Sequence, residues 1–118
     1  MNRAGPQPTL SKATKLSDFA SAASAVLRDF GVLRAIVFGS FARGEATRHS
    51  DVDILVVWQT EKRFFDRHEG LYGALQEVIP GRDIDLLIYT PQELEQMQQR
   101  TFIKDVLREG VVIYEHQP

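Results

Sequence analysis

Residues 36–57, with the sequence I-V-F-G-S-F-A-R-G-E-A-T-R-H-S-D-V-D-I-L-V-V, decide the fold of this chain. The first three residues form a short apolar run that is typical of a buried strand. Gly39 and Ser40 break this run, which predicts a sharp turn into a short helix. A second apolar run over residues 52–57 predicts a second strand. The stretch therefore predicts a strand–helix–strand unit, with a polar loop ahead of its second strand.

Gly39 and Ser40 have the chemistry of an anion-binding turn. Glycine has no Cβ, so another group is able to approach its backbone closely. Ser40 is suited to cap the following helix and to donate its hydroxyl. The first turn of a helix presents free backbone N–H groups and the positive end of the helix dipole, and phosphate is a common occupant of such a site. The turn therefore predicts a phosphate site.

Asp51 and Asp53 supply the opposite charge at the head of the second strand. Residues two apart on a strand point to the same face. Two neighbouring carboxylates repel each other unless a positive charge lies between them. Hard divalent cations such as Mg²⁺ bind carboxylate oxygens together with substrate phosphates. A phosphate site and a metal-binding pair in one short unit indicate phosphoryl or nucleotidyl transfer.

These residues resemble the signature of the polymerase-beta-like nucleotidyltransferase superfamily. Gly39 and Ser40 are followed, after ten residues, by the D-x-D pair, and Gly44 and Ser50 fall where the family usually has a glycine and a serine. The chain is most similar to the minimal nucleotidyltransferases. These are small one-domain proteins that are often paired, as antitoxin, with a helical toxin of the HEPN type. The resemblance extends to about residue 114.

The family places a third carboxylate on a neighbouring strand, and residues 82–88, R-D-I-D-L-L-I, offer two candidates. Asp85 fits the family pattern best, because it follows one apolar residue and precedes an apolar run. Asp83 lies on the same face by the period of a strand and is the alternative ligand or a supporting acid.

The resemblance implies a role for each matching residue. The nucleotide-binding candidates are Gly39, Ser40, Arg43, Gly44 and Ser50. The catalytic and metal-binding candidates are Asp51, Asp53 and Asp85. The implied cofactor is Mg²⁺, as two ions, and the implied substrate is ATP. For Arg43, and for Arg48 in the same loop, a solvated surface position is the alternative to a phosphate contact.

The resemblance also implies the acceptor, on which the residues themselves are silent. It is expected to be a tyrosine of a HEPN-type toxin that receives AMP, which would make this chain an antitoxin. The alternative is a binding module that neutralises its partner by forming a complex without catalysis. Larger relatives that modify antibiotics or extend tRNA carry a further domain for the acceptor. Nothing after residue 114 is expected to supply one, so a partner or a second copy of this chain is expected to form the acceptor side.

The composition of the chain limits the class of protein to which it belongs. The chain has 118 residues, no cysteine and a formal net charge of −2. One domain is expected, without disulfides or thiolate metal sites. There is no apolar run long enough for a membrane span and no signal-peptide pattern, so we expect a cytoplasmic protein that does not contact membranes. The small negative charge argues against an extensive footprint on duplex nucleic acid.

The whole chain predicts an α/β fold of the nucleotidyltransferase type, with a mixed sheet of about four strands packed against helices. Residues 1–15 are expected to form a flexible arm, and residues 16–115 the domain. Helices are predicted at 17–30 and 60–79, the latter with a core-facing aromatic stripe. Strands are predicted at 32–38 and 83–89. A capping box at Thr90 begins the last helical region, which ends at Gly110, and an edge strand follows at 111–114.

Overall fold

The computed structural model describes residues 12–47 and 49–117, which form a mixed four-stranded sheet with helices on both faces. The helices are α1 (Lys12–Asp29), α2 (Gly39–Arg43), α3 (Leu71–Val78), α4 (Pro91–Gln96) and α5 (Thr101–Glu109), with a 3₁₀ turn at Phe64–Asp66. The strands are β1 (Arg34–Phe38), β2 (Val52–Val57), β3 (Ile84–Tyr89) and β4 (Val111–Glu115). The predicted fold class is confirmed.

The strands lie in the order β3-β2-β1-β4. β1 pairs antiparallel with both β2 and β4, whereas β2 and β3 run parallel. The short helix α2 connects β1 to β2. The longer connection from β2 to β3 passes through α3, and because these two strands are parallel, a right-handed crossover is expected. The predicted final strand is confirmed, and it lies at the edge of the sheet.

Alternation along the strands divides the apolar residues between two cores. On one face, Val37, Ile54 and Ile88 pack with α1 and α3, which contribute Leu27 and Leu75. On the other face, a smaller core is formed by the residues Ile36, Leu55, Val57, Ile103 and Val106. The second face is covered only in part, by α4 and α5, and it is the face on which the acidic residues lie.

The N-terminal boundary differs from the prediction. Helix α1 begins at Lys12 rather than at Ser17, which lies within the helix and is not its cap. Residues 12–15 are therefore helical, although the sequence placed them in the arm, and residues 1–11 lie outside the described residues. The division into an arm and a domain stays a prediction.

The predicted helix over residues 60–79 is wrong in its first half. The chain forms the 3₁₀ turn at Phe64–Asp66, and α3 begins only at Leu71, because Gly70 adopts a left-handed φ of 83°. The expected burial of the aromatic stripe fails with it. Phe65 is 89% exposed and Phe64 and Tyr72 are also exposed. Because residues 60–79 do not form one continuous helix, the helical spacing of these aromatic residues does not bring them onto one buried face.

Arg67 ties this irregular segment to the rest of the fold. Its side chain is 6% exposed and forms two hydrogen bonds to the carboxylate of Glu93, of 2.7 and 3.1 Å. It also donates to the carbonyl oxygens of Lys62 and Ile88. Glu93 closes the predicted capping box with Thr90, which is confirmed. One guanidinium thus joins the loop, β3 and the start of α4.

Replacing Arg67 with alanine is expected to lower the free energy of unfolding by about 2–4 kcal/mol, because two carbonyls and a carboxylate lose their donor. Urea denaturation measures this, with the exposed Arg63→Ala as the control. The pKa of Glu93 lies below its ordinary value. The largest cause is the hydrogen bond from Arg67, and the second is the hydrogen bond from the backbone N–H of Thr90. That stabilisation is present above the ordinary pKa and is lost as the pH falls through the lowered one. The difference between wild type and Arg67→Ala should therefore shrink in acid, and an unchanged difference contradicts this account.

No helix in the described ranges is long and apolar enough to cross a membrane.

Candidate active site

Asp53 lies where three strands meet. On β2, it is the register partner of Phe38, the last residue of β1, and of Asp85 on β3. Asp53 lies on the same face of β2 as Leu55, which packs in the smaller core, against α5. Asp51 precedes the strand and is exposed, as is Asp85, whereas Asp53 is half-buried. The structure thus brings the three predicted acids to one end of the sheet.

The surroundings of Asp53 change the pKa of its carboxyl group. Burial raises the pKa of the Asp53 carboxyl above its ordinary value, the negative charges of Asp85 and Asp51 raise it further, and Arg43 opposes the shift. The direct register of Asp85 with Asp53 favours it over Asp83 as the third acid. Asp83 lies before the first residue of β3, where its carbonyl oxygen accepts a hydrogen bond from the N–H of Val52.

Gly39 is required by its contact with Asp53. It has a left-handed φ of 76°, which side-chain-bearing residues rarely adopt. A Cβ built on Gly39 would overlap Oδ2 of the Asp53 carboxylate. The glycine therefore permits the turn from β1 into α2 and leaves the space that the carboxylate occupies.

Helix α2 places the other predicted phosphate ligands beside this carboxylate. The helix begins at Gly39 with Phe38 as its N-cap, so the prediction that Ser40 caps the helix is wrong. Ser40 is instead in the first turn, where backbone N–H groups lack partners within the helix. Gly44 ends the helix with a left-handed φ of 75°.

Arg43 is exposed and is held by a neighbouring acid. Its Nε donates a 2.9 Å hydrogen bond to Glu45 Oε1. This hydrogen bond and the charge of Glu45 raise the pKa of Arg43, and Glu109 and Asp53 add smaller contributions. Arg43 is thus near the carboxylates, but it contacts Glu45. Arg48, the other predicted cation, lies outside the described residues.

Ser50 closes the loop that precedes Asp51. Its Oγ accepts a 2.9 Å hydrogen bond from the N–H of Thr47, so its hydroxyl is engaged in loop structure. Arg82, for which the sequence predicted no role, stabilises the same loop by donating to the carbonyl oxygens of Thr47 and Ser50 at 2.8 and 2.7 Å. The guanidinium also lies over the ring of Phe41, 5.2 Å from its centroid. The only feature of the sequence that pointed to Arg82 is its position directly before Asp83 in the R-D-I-D segment.

The donor set fits a hard divalent cation. Carboxylate oxygens are the ligands that Mg²⁺ prefers, and a cation would relieve the repulsion that raises the pKa of Asp53. Within residues 12–47 and 49–117, no three acidic, histidine or cysteine side chains are gathered closely enough to hold an ion as they stand. Asp51 and Asp85 are exposed, so their side chains change rotamer at low cost.

The site thus combines a glycine turn, a half-buried aspartate against it, and a second acid in register with that aspartate. The family model described as polymerase beta, nucleotidyltransferase matches residues 23–118. The chain belongs to this nucleotidyltransferase family.

Three relatives come from Methanocaldococcus jannaschii, and each is provisionally named a protein adenylyltransferase. The first is 34% identical over 71% of this chain and 59% of its own length. The second is 42% identical over 54% of this chain and 67% of its own length. The third is 32% identical over 70% of this chain and 79% of its own length. The chain thus spans about three fifths of the first relative.

Solved structures have the same fold. A chain provisionally described as a minimal nucleotidyltransferase is 28% identical, with a TM-score of 0.63, over 89% of this chain and 98% of that one. A chain from a toxin–antitoxin complex with AMP-PNP is 24% identical, with a TM-score of 0.61, over 83% of this chain and 74% of that one. At that identity, the second likeness establishes the fold alone.

Proposed function

We propose that this chain transfers AMP from ATP to a hydroxyl group of a partner protein, with a divalent metal ion as cofactor. The observation that carries this proposal is the contact between Gly39 and Asp53, with Asp85 in register beside them. The turn that would bind phosphate therefore lies directly against the acids that would hold the metal. It favours a nucleoside triphosphate as the substrate, because such a molecule engages both.

The residues of the chain would bind and orient the triphosphate. The backbone N–H groups of Gly39 and Ser40 would donate to its terminal phosphate oxygens, and Arg43 would add a charge-assisted contact after leaving Glu45. Gly44 would let α2 end within its short turn, and Ser50 would hold the loop before the acids. The Oγ of Ser50 accepts from the N–H of Thr47, and its hydroxyl hydrogen would donate to a phosphate oxygen.

Asp51, Asp53 and Asp85 would hold the Mg²⁺, proposed as two ions. Bound there, the metal would neutralise phosphate charge and lower the pKa of the attacking hydroxyl. In the transfer, the acceptor oxygen forms a bond to the α-phosphorus, the bond to the bridging oxygen breaks, and pyrophosphate leaves. The hydroxyl proton passes to water. Positioning and charge neutralisation supply most of the rate, so no nucleophilic side chain is required.

The proposed acceptor is a tyrosine of a HEPN-type toxin, for which this chain acts as antitoxin. Support comes from the names of the three relatives as protein adenylyltransferases and from the toxin–antitoxin assembly with a similar fold. The competing function is neutralisation of the partner by binding alone. Against it stands the retention of all three acids at one end of the sheet.

The test is incubation of the purified chain with Mg²⁺ and ATP labelled on the α-phosphate, with and without the protein encoded beside it. We expect label on the neighbouring protein, and mass spectrometry should place AMP on a tyrosine. Label should disappear with Asp51→Ala or with a metal chelator. A stable complex of the two proteins without label, under conditions where the wild-type chain is folded, contradicts transfer and favours binding alone.

A further inference from the structure

A small cavity opens beside the proposed triphosphate site, between α2 and α5. It has a volume of about 190 Å³. Its walls come from the β1–α2 turn and from one side of α5, and include Phe38, Gly39, Arg43, Phe102, Asp105 and Glu109. None of the residues on α5 has a role in the proposed transfer.

Gly39 borders both the cavity and the acidic site. This residue lines the cavity and also lies against Oδ2 of Asp53, where a side chain would fill the space. Arg43 also lines the cavity, and the charges of Glu109 and Asp53 add to the effect of Glu45, the chief cause of its raised pKa. A molecule bound by its phosphates at Gly39 would therefore extend directly into the cavity.

Phe102 gives the cavity an aromatic wall that is open to water. Its ring packs edge-to-face with that of Phe38, with centroids 5.6 Å apart and an interplanar angle of 82°. Phe102 nevertheless remains 49% exposed. Leaving so much aromatic surface in water is unfavourable, and a planar ring stacked on it would remove that surface from solvent.

The charges in the cavity favour one end of a nucleotide over the other. Asp105 and Glu109 both accept hydrogen bonds from Nη2 of Arg108, at 2.9 and 2.8 Å, and each carboxylate has further acceptor capacity. Their negative charge disfavours phosphates at the α5 wall, whereas Gly39 and Arg43, the proposed phosphate-binding residues, form the α2 wall. Carboxylates accept from exocyclic amino groups, which adenine, guanine and cytosine carry and uracil lacks.

We propose that this cavity binds the base of the nucleoside triphosphate, stacked on Phe102 with its amino edge towards Asp105 and Glu109. This inference rests on the proposed function, because it requires the triphosphate to lie at Gly39. It makes Phe102 a substrate-binding residue and predicts that ATP binds more tightly than UTP.

Calorimetry with ATP and with inorganic tripolyphosphate, both with Mg²⁺, tests the proposal on the full chain. Tripolyphosphate has the phosphates but no base. Phe102→Ala should weaken ATP binding about five- to a hundredfold, the range expected for loss of base stacking, and leave tripolyphosphate binding within about twofold. Phe102→Trp should retain ATP binding. Leu107→Ala is the matched control, because Leu107 is 41% exposed on the same helix but borders a different groove, beside Pro91 and Leu94.

The outcomes separate this inference from the function on which it rests. If ATP binds equally well to wild type and Phe102→Ala, the inference is overturned and the proposed function stands. If Phe102→Ala weakens ATP and tripolyphosphate equally, or if Leu107→Ala matches its effect, the residue has only a structural role and the inference is overturned. If wild type binds neither ligand with Mg²⁺, both the proposed function and the inference fail.

Discussion

Replacing Asp53 with asparagine is expected to lower the rate of AMP transfer about a thousandfold or more while the chain remains folded. The substitution keeps the shape of the side chain and removes the charge that the metal requires. Asp53 is the acid at the centre of the site, because it faces Gly39 and lies in register with Asp85. Initial rates with α-labelled ATP and saturating acceptor measure the effect.

The fold should tolerate this substitution. Because the folded-state pKa of Asp53 is raised, ionisation of this carboxyl destabilises the metal-free protein as the pH rises through that range. Asparagine does not ionise, so in metal-free buffer at neutral pH the variant should melt no lower than wild type. Added Mg²⁺ with ATP should raise the melting temperature of wild type and have a much smaller effect on Asp53→Asn.

Asp83→Asn is the matched control, since Asp83 is an exposed acid just before β3. We expect Asp85→Asn to lose activity and Asp83→Asn to retain most of it. If Asp83→Asn loses activity and Asp85→Asn retains it, Asp83 and not Asp85 is the third acid of the site. Wild-type activity in Asp53→Asn would contradict the proposed site altogether.

Replacing Gly39 with alanine is expected to abolish transfer and to destabilise the fold. The left-handed backbone at Gly39 costs a residue with a Cβ about 1–2 kcal/mol. The collision with the Asp53 carboxylate adds to this cost and displaces the acid from the site. Circular dichroism melting and the transfer assay measure the two effects separately.

Gly31→Ala separates backbone strain from the collision. Gly31 has a similar φ of 79°, but a Cβ there would meet nothing within 4 Å. We expect this variant to lose comparable stability to strain alone and to keep its activity. If Gly39→Ala and Gly31→Ala have the same activity, the contact between Gly39 and Asp53 has no role in function. The double variant Gly39→Ala/Asp53→Ala should recover the stability lost to the collision, but not the part lost to backbone strain, and should remain inactive.

The arrangement of the candidate site could be predicted in part from the sequence, because several of its residues are close together along the chain. The apolar runs on either side of Gly39 predict β1 and β2, and the two-residue spacing of Asp51 and Asp53 predicts that they lie close together, although Asp51 precedes β2. Asp85 could be favoured over Asp83 by pattern, but only the parallel register of β2 and β3 sets it opposite Asp53. The capping box at Thr90 was also legible, because both of its hydrogen bonds lie within four residues.

The features that the sequence missed depend on distant partners. Residues 60–79 have helical spacing, but Arg67 forms its hydrogen bonds to Glu93 and Ile88, far along the chain, and Gly70 interrupts the helix. The contacts of Arg82 with Thr47 and Ser50 are equally remote in sequence. Phe102 fits a helical stripe, and its exposure depends on how far α5 covers the sheet. Periodicity carries no information about such tertiary contacts.

The position of the label in ATP distinguishes transfer of a nucleotidyl group, which we propose, from transfer of a phosphoryl group. The chain and its neighbouring protein are incubated with Mg²⁺ and either α-labelled or γ-labelled ATP. The account predicts that the α-label becomes attached to protein, whereas the γ-label is released as pyrophosphate in equal amount. Protein that carries the γ-label and releases ADP would contradict the account, because that result identifies phosphoryl transfer.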